Sequence, residues 1–91
     1  MLNVEYTTKF KRDLKLAKKR KNNIAALQKI MKRIEYEEPL DPRFKDHPLT
    51  GNWKSHRELP IEPYWLLIYK LIPEENVVIF VRTGTHSDLF N

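Results

Sequence analysis

Tyr64-Trp-Leu-Leu-Ile-Tyr69 is apolar at six consecutive positions, with neither the alternation of a half-buried strand nor the spacing of an amphipathic helix. A segment of this kind is expected as a central strand covered on both faces. Before it, Arg57, Leu59 and Ile61 alternate with His56, Glu58 and Glu62, the period of a strand with one polar face. Pro60 cannot donate to a sheet ladder, so an edge position or a bulge is expected there. Pro73-Glu-Glu-Asn76 reads as a turn and Val77–Arg82 as a third strand, giving an antiparallel meander. A last segment, His86–Asn91, has Ser87 or Asp88 placed to cap it.

Upstream, the period lengthens. Leu2, Val4 and Tyr6 alternate as a short N-terminal strand, and Thr7 or Thr8 is placed to cap a helix. Phe10, Leu14 and Ala17 form one apolar stripe, while Lys11, Lys15 and Lys18 repeat the spacing one position around. Asn22 or Asn23 can cap a second helix carrying Ile24, Leu27, Ile30, Met31 and Ile34, which Pro39 ends. A loop of about 15 residues punctuated by Pro39, Pro42 and Pro48 follows, longer than ordinary connections and therefore a place to look for function. The order strand, helix, helix, meander describes one α+β domain over residues 1–91, with a two-helix hairpin on one sheet face. The opposite face, with His56, Glu58 and Arg82, is expected to lie open to a ligand.

Charge narrows the partners. The chain carries a formal +5, and the charge is concentrated at one end. Residues 1–33 hold 11 basic and 2 acidic side chains, whereas residues 34–91 hold 6 and 10. Eight cations between Lys9 and Lys21 repel one another unless an anion screens them, and nucleic acid is the commonest such anion. The plain alternative is a solvated helix face. The chain has no cysteine, which excludes disulfides and thiolate metal sites. Its apolar run is far short of the roughly 20 residues that cross a bilayer. Met1-Leu-Asn-Val-Glu-Tyr6 pairs no basic segment with an apolar stretch, so the expectation is a cytoplasmic protein without a secretion signal or a membrane partner.

Three histidines, His47, His56 and His86, carry the candidate chemistry. Imidazole, with an unperturbed pKa of about 6.5, can both take and give a proton near neutrality. Cleavage of RNA without a metal needs both services: one group takes the proton of a ribose 2′-hydroxyl, another protonates the departing 5′-oxygen, and cations hold the phosphate. Lys54, Arg57 and Arg82 are the cations outside the helices. Histidine separations of 9 and 30 residues match no metal motif, and the two glycines form no phosphate loop, so neither a metal nor a small-molecule cofactor is expected.

Lys45-Asp-His-Pro-Leu-Thr-Gly-Asn-Trp-Lys54, Arg57-Glu58, Glu62-Pro-Tyr-Trp-Leu-Leu-Ile-Tyr69 and Arg82-Thr-Gly-Thr-His-Ser-Asp-Leu-Phe90 together closely resemble the YafQ branch of the RelE/ParE toxin superfamily. The resemblance covers almost the whole chain. It implies a RelE/ParE-like fold and the toxin half of a bacterial type II toxin–antitoxin pair, an endoribonuclease (mRNA interferase) that cuts mRNA in the ribosomal A site. It also implies an antitoxin protein that neutralises it. Within that pattern His47 and His86 belong to proton transfer, Glu58 is the acidic residue of the sheet strand, Trp65 the tryptophan of the P-x-W motif, and Phe90 the terminal aromatic. Family members often carry a histidine and an aspartate where this chain has Pro60 and Tyr64. The roles that follow are His47 as general base and His86 as general acid, with Arg82, Lys54 and Arg57 on the phosphate. Phe90 and Trp65 stack on bases or shape the site, although Trp65 also fits a plain core position.

A different superfamily branch binds DNA gyrase, so the alternative is a non-catalytic toxin acting by protein binding, and a second is an RNA-binding module. In the RNA reading, Lys11, Lys15 and Lys18 hold ribosomal RNA by its phosphates rather than by its sequence. Binding is then expected to weaken steeply with salt, log K falling by about 0.7 to 0.9 per phosphate contact for each unit of log salt. Affinity for ribosomes measured across a salt series checks this, and a flat dependence contradicts it.

Overall fold

The computed structural model describes residues 1–90. In chain order it contains β1 (Asn3–Tyr6), α1 (Thr8–Lys19), α2 (Ile24–Glu35), β2 (His47–Pro48), β3 (Arg57–Glu62), β4 (Trp65–Ile72), β5 (Val77–Gly84) and α3 (His86–Phe90). The strands form one five-stranded sheet in the order β1-β5-β4-β3-β2. The meander β3-β4-β5 is antiparallel as expected, but β1 joins β5 in parallel, so the sheet is mixed rather than antiparallel. Strand alternation shows that β1 exists and not where it pairs. The two helices carry the chain from β1 toward the opposite sheet edge, and the meander then brings β5 back beside β1, running parallel to it.

Local chemistry sets the helix ends. Thr7 caps α1, its Oγ1 accepting from Phe10 N at 2.9 Å and donating to Val81 O at 2.7 Å, which pins the helix start to β5. Asn23 caps α2 through Ala26 N at 3.0 Å. The second helix stops at Glu35, before Pro39 can act: Glu37 adopts the left-handed conformation (φ 56°) and Glu38 N closes on Arg33 O at 2.9 Å. Pro60 sits where β3 has no outer neighbour, beside a register shift between Pro60 and Glu62, so both the edge position and the bulge are present.

Both helices cover one sheet face. Phe10, Ala17, Leu27, Ile30 and Ile34 pack against Leu59, Trp65, Leu67, Tyr69 and Phe80. The other face, expected to be open, holds a second cluster in which Leu66, Ile68 and Leu89 are joined by Leu49, Trp53 and Val81. β4 is thus buried on both faces, as its composition demands. Its first residue is Trp65, and Tyr64 lies in the preceding turn, 82% exposed.

Leu67 is fully buried, whereas Leu71 on the same strand is 39% exposed. Leu67→Ala is expected to cost about 2–5 kcal/mol of unfolding free energy, and Leu71→Ala about 1 kcal/mol or less. Urea titration of the two variants checks the difference.

Candidate active site

The long loop is built around one carboxylate. Lys45 takes a left-handed conformation (φ 52°), and Asp46 turns inward to accept the Tyr69 hydroxyl at 2.7 Å and Arg57 Nε at 3.2 Å. Burial, reinforced by the Asp46 charge, pushes the Tyr69 phenol upward, so it stays a proton donor to that carboxylate. The next residue, His47, is thereby laid against β3, where it pairs with Glu58 in antiparallel register. His47 Nδ1 lies 2.7 Å from Lys45 O. A carbonyl only accepts, so this nitrogen is assigned the proton. The other nitrogen, Nε2, stands 3.9 Å from Glu58 Oε1. Glu58 is 6% exposed and His47 is open to solvent, so a buried carboxylate lies behind an accessible imidazole. The arrangement leaves Nε2 without a hydrogen-bond partner among the described residues and able to accept a proton beside the Glu58 carboxyl.

Register carries the row onward. His47 faces Glu58, Glu58 faces Ile68, and Ile68 faces Arg82. At about 4.8 Å per strand, His47 and Arg82 lie roughly 14 Å apart along it. A bulge at Val81, between the pairs Ile68–Arg82 and Tyr69–Phe80, re-aims the end of β5. Arg82 Nε reaches Asp13 of α1 at 2.7 Å, and Thr83 N donates to the same carboxylate at 3.1 Å. Arg82 is therefore engaged with the helix layer rather than displayed on the Glu58 face.

His86 opens α3 and is exposed. The cap is neither Ser87 nor Asp88 alone: Thr85 Oγ1 accepts from Asp88 N at 3.1 Å while Asp88 Oδ2 accepts from Thr85 N at 2.9 Å, a reciprocal capping box. Arg20 completes it, bonding Asp88 at 2.7 and 3.3 Å and tying α3 to the end of α1. That hydrogen bond, with the one from Thr85, holds the Asp88 carboxyl at about 2. Gly84 is required because a Cβ there would stand 2.9 to 3.0 Å from Asp88. The sequence-proposed end of this segment at Asn91 falls outside the described residues.

The remaining expected site residues divide. Phe90 packs near His86 (ring centroids 5.9 Å) and edge-on to Trp53 (5.8 Å), over the same face as Glu58. Lys54 follows Trp53 and is exposed. Arg57 is turned to the Asp46–Tyr69 pair, on the helix side. Trp65 is 3% exposed in the helix-side core. Lys11, Lys15 and Lys18 are exposed on α1, across the sheet from His47 and Glu58. Sequence reading passed over Asp46, Tyr69, Asp13 and the capping role of Thr85. Asp13 could have been noticed as one of only two acids in the first 33 residues.

Two helices on one face of a mixed five-stranded sheet, with a short C-terminal helix on the other, make the RelE-like fold of small α+β toxins. A model of the family described as "Bacterial toxin of type II toxin-antitoxin system, YafQ" matches residues 2–91. The chain is 43% identical over 88 residues to the mRNA interferase toxin YafQ of Escherichia coli K12, covering 96% of this chain and 94% of that one. It superposes on the crystal structure of YafQ from E. coli BL21(DE3) with a TM-score of 0.93 and 39% identity over the whole of both chains. It also matches the E. coli DinJ-YafQ complex (TM-score 0.89, 41% identity, all of both chains). The chain belongs to the YafQ toxin family of type II toxin–antitoxin systems.

The Asp88 carboxyl is held below its ordinary range in the folded chain, so its contribution to stability is present above about pH 4 and lost as pH falls toward 2. Asp88→Asn is expected to be less stable than the parent at pH 7 and to lose less stability on acidification. Denaturant midpoints from pH 7 to 2 check this, and parallel losses in the two proteins contradict it.

Proposed function

We propose that this chain is a ribosome-dependent endoribonuclease that cuts mRNA in the A site by attack of a ribose 2′-hydroxyl. The observation that carries the reading is the His47–Glu58 pair, with Nδ1 committed to Lys45 O and Nε2 left to take a proton. The names of the E. coli relatives support the class of activity. In the proposed reaction His47 Nε2 removes the 2′-hydroxyl proton, the 2′-oxygen attacks phosphorus, and His86 protonates the departing 5′-oxygen. The products are a 2′,3′-cyclic phosphate and a 5′-hydroxyl. Glu58 stabilises the imidazolium of His47, which supplies a route for proton transfer that does not need a group at Pro60.

Lys54, exposed next to Trp53, is proposed as a cation for the phosphate. Arg82, bonded to Asp13 on the helix side, is proposed to serve by tying the end of β5 to α1 and not by meeting the phosphate. Arg57 serves the reaction by holding Asp46, and Trp65 by filling the core beneath the sheet; Phe90 offers a ring to an unstacked base. The basic face of α1 is proposed to meet ribosomal RNA. An antitoxin, the partner shown by the DinJ-YafQ complex for the E. coli protein, is proposed to neutralise this chain as well.

The test is cleavage of a defined mRNA on programmed ribosomes, mapped at nucleotide resolution. His47→Ala and His86→Ala are each expected to slow cutting about 10²- to 10⁴-fold without loss of ribosome binding. Cutting that survives both substitutions contradicts the assignment.

A further inference from the structure

We infer that Trp53 and His56 extend Phe90 into a stacking subsite for one unpaired nucleobase of the RNA. The inference rests on the RNA-directed reading above and adds to it two residues that the reaction does not use. The rings form one connected series: His56 lies 5.3 Å from Trp53 at 86°, Trp53 lies 5.8 Å from Phe90 at 78°, and Phe90 lies 5.9 Å from His86. Edge-to-face packing does not use up both faces of each ring. Phe90 remains 41% exposed and His56 and Trp53 are half-buried, so the series reaches the surface instead of closing into a core.

Its position favours RNA over other occupants. His56 immediately precedes β3 and stands two residues before Glu58, at most about 7 Å along the chain, so a base on this series lies beside the proposed scissile phosphate. The backbone holds it there, since Leu49 N donates to His56 O at 2.9 Å and His56 N to Trp53 O at 3.0 Å. Lys54 lies between the two rings in sequence, is exposed, and makes no ion pair among the described residues, leaving its charge for a backbone phosphate. Aromatic faces flanked by cations are how proteins grip single-stranded nucleic acid.

The experiment is binding of a 2′-O-methyl single-stranded RNA hexamer, which lacks the attacking hydroxyl, and of the same hexamer with one abasic ribose placed at each position in turn. Wild type, His56→Ala, Trp53→Phe and Trp53→Leu are compared, with thermal unfolding recorded for each. One abasic position is expected to weaken wild-type binding at least about fivefold. His56→Ala should bind the intact strand correspondingly less well and show no further loss on the abasic one, and Trp53→Phe should retain more affinity than Trp53→Leu. If Trp53→Leu does not fold, His56→Ala decides. Equal losses on intact and abasic strands, or no base-dependent binding by wild type, would overturn the subsite. Ribosomal cleavage by wild type is read in parallel: base-dependent stacking without cutting sinks the nuclease reading alone, and cutting without base-dependent stacking sinks the subsite alone.

Discussion

The Asp46 carboxylate is the contact on which the candidate site depends. β2 is only two residues long, too short for its own ladder to fix it against the sheet. What fixes it is Asp46, held from two strands at once by Arg57 of β3 and Tyr69 of β4. Hydrogen bonds to a charged acceptor are the stronger kind, and leaving a half-buried carboxylate without them is costly. The same contact joins three sequence blocks that the chain separates, Lys45–Lys54, Arg57-Glu58 and Glu62–Tyr69. His47 meets Glu58 because its neighbour is anchored.

A second anchoring principle governs the other end of the row. The acids that bind Arg82 and Arg20, Asp13 and Asp88, connect α1 to β5 and to α3. α1 thus has two sides with different work: an outer face of lysines, and an inner and C-terminal side whose ion pairs set where β5 ends and where His86 begins. The positive charge that first suggests nucleic acid is therefore partly structural. Lys11, Lys15 and Lys18 remain exposed, while Arg20 and Arg82 are committed to carboxylates.

Most of the fold was legible because burial on two faces leaves a mark that no other environment leaves. The all-apolar segment at β4, the strand alternation of β3 and the stripes of α1 and α2 each follow from which side meets the core. The parallel pairing of β1 was not legible, since a strand's residues record its faces and not its edge partner. The covering of the second face was missed for a related reason: Leu49, Trp53 and Leu89 are scattered over a loop and a one-turn helix too short to show a period. For the candidate site, residue type and motif single out His47, His86 and Glu58 as candidates. The anchors Asp46, Tyr69 and Asp13 are joined over 23 and 69 residues, separations at which nothing in one sequence signals a bond. Arg82 illustrates the cost, being read as a free cation when it has a partner.

The central claim is that two histidines and a buried glutamate make this chain cut RNA through its own 2′-hydroxyl. The direct measurement is the chemistry of the ends left by the wild-type chain on programmed ribosomes, read by mass spectrometry of the fragments. A 2′,3′-cyclic phosphate paired with a 5′-hydroxyl is the expected result. A 3′-hydroxyl paired with a 5′-phosphate would show that water, and not the ribose, attacks phosphorus, and would contradict the roles assigned to His47 and His86.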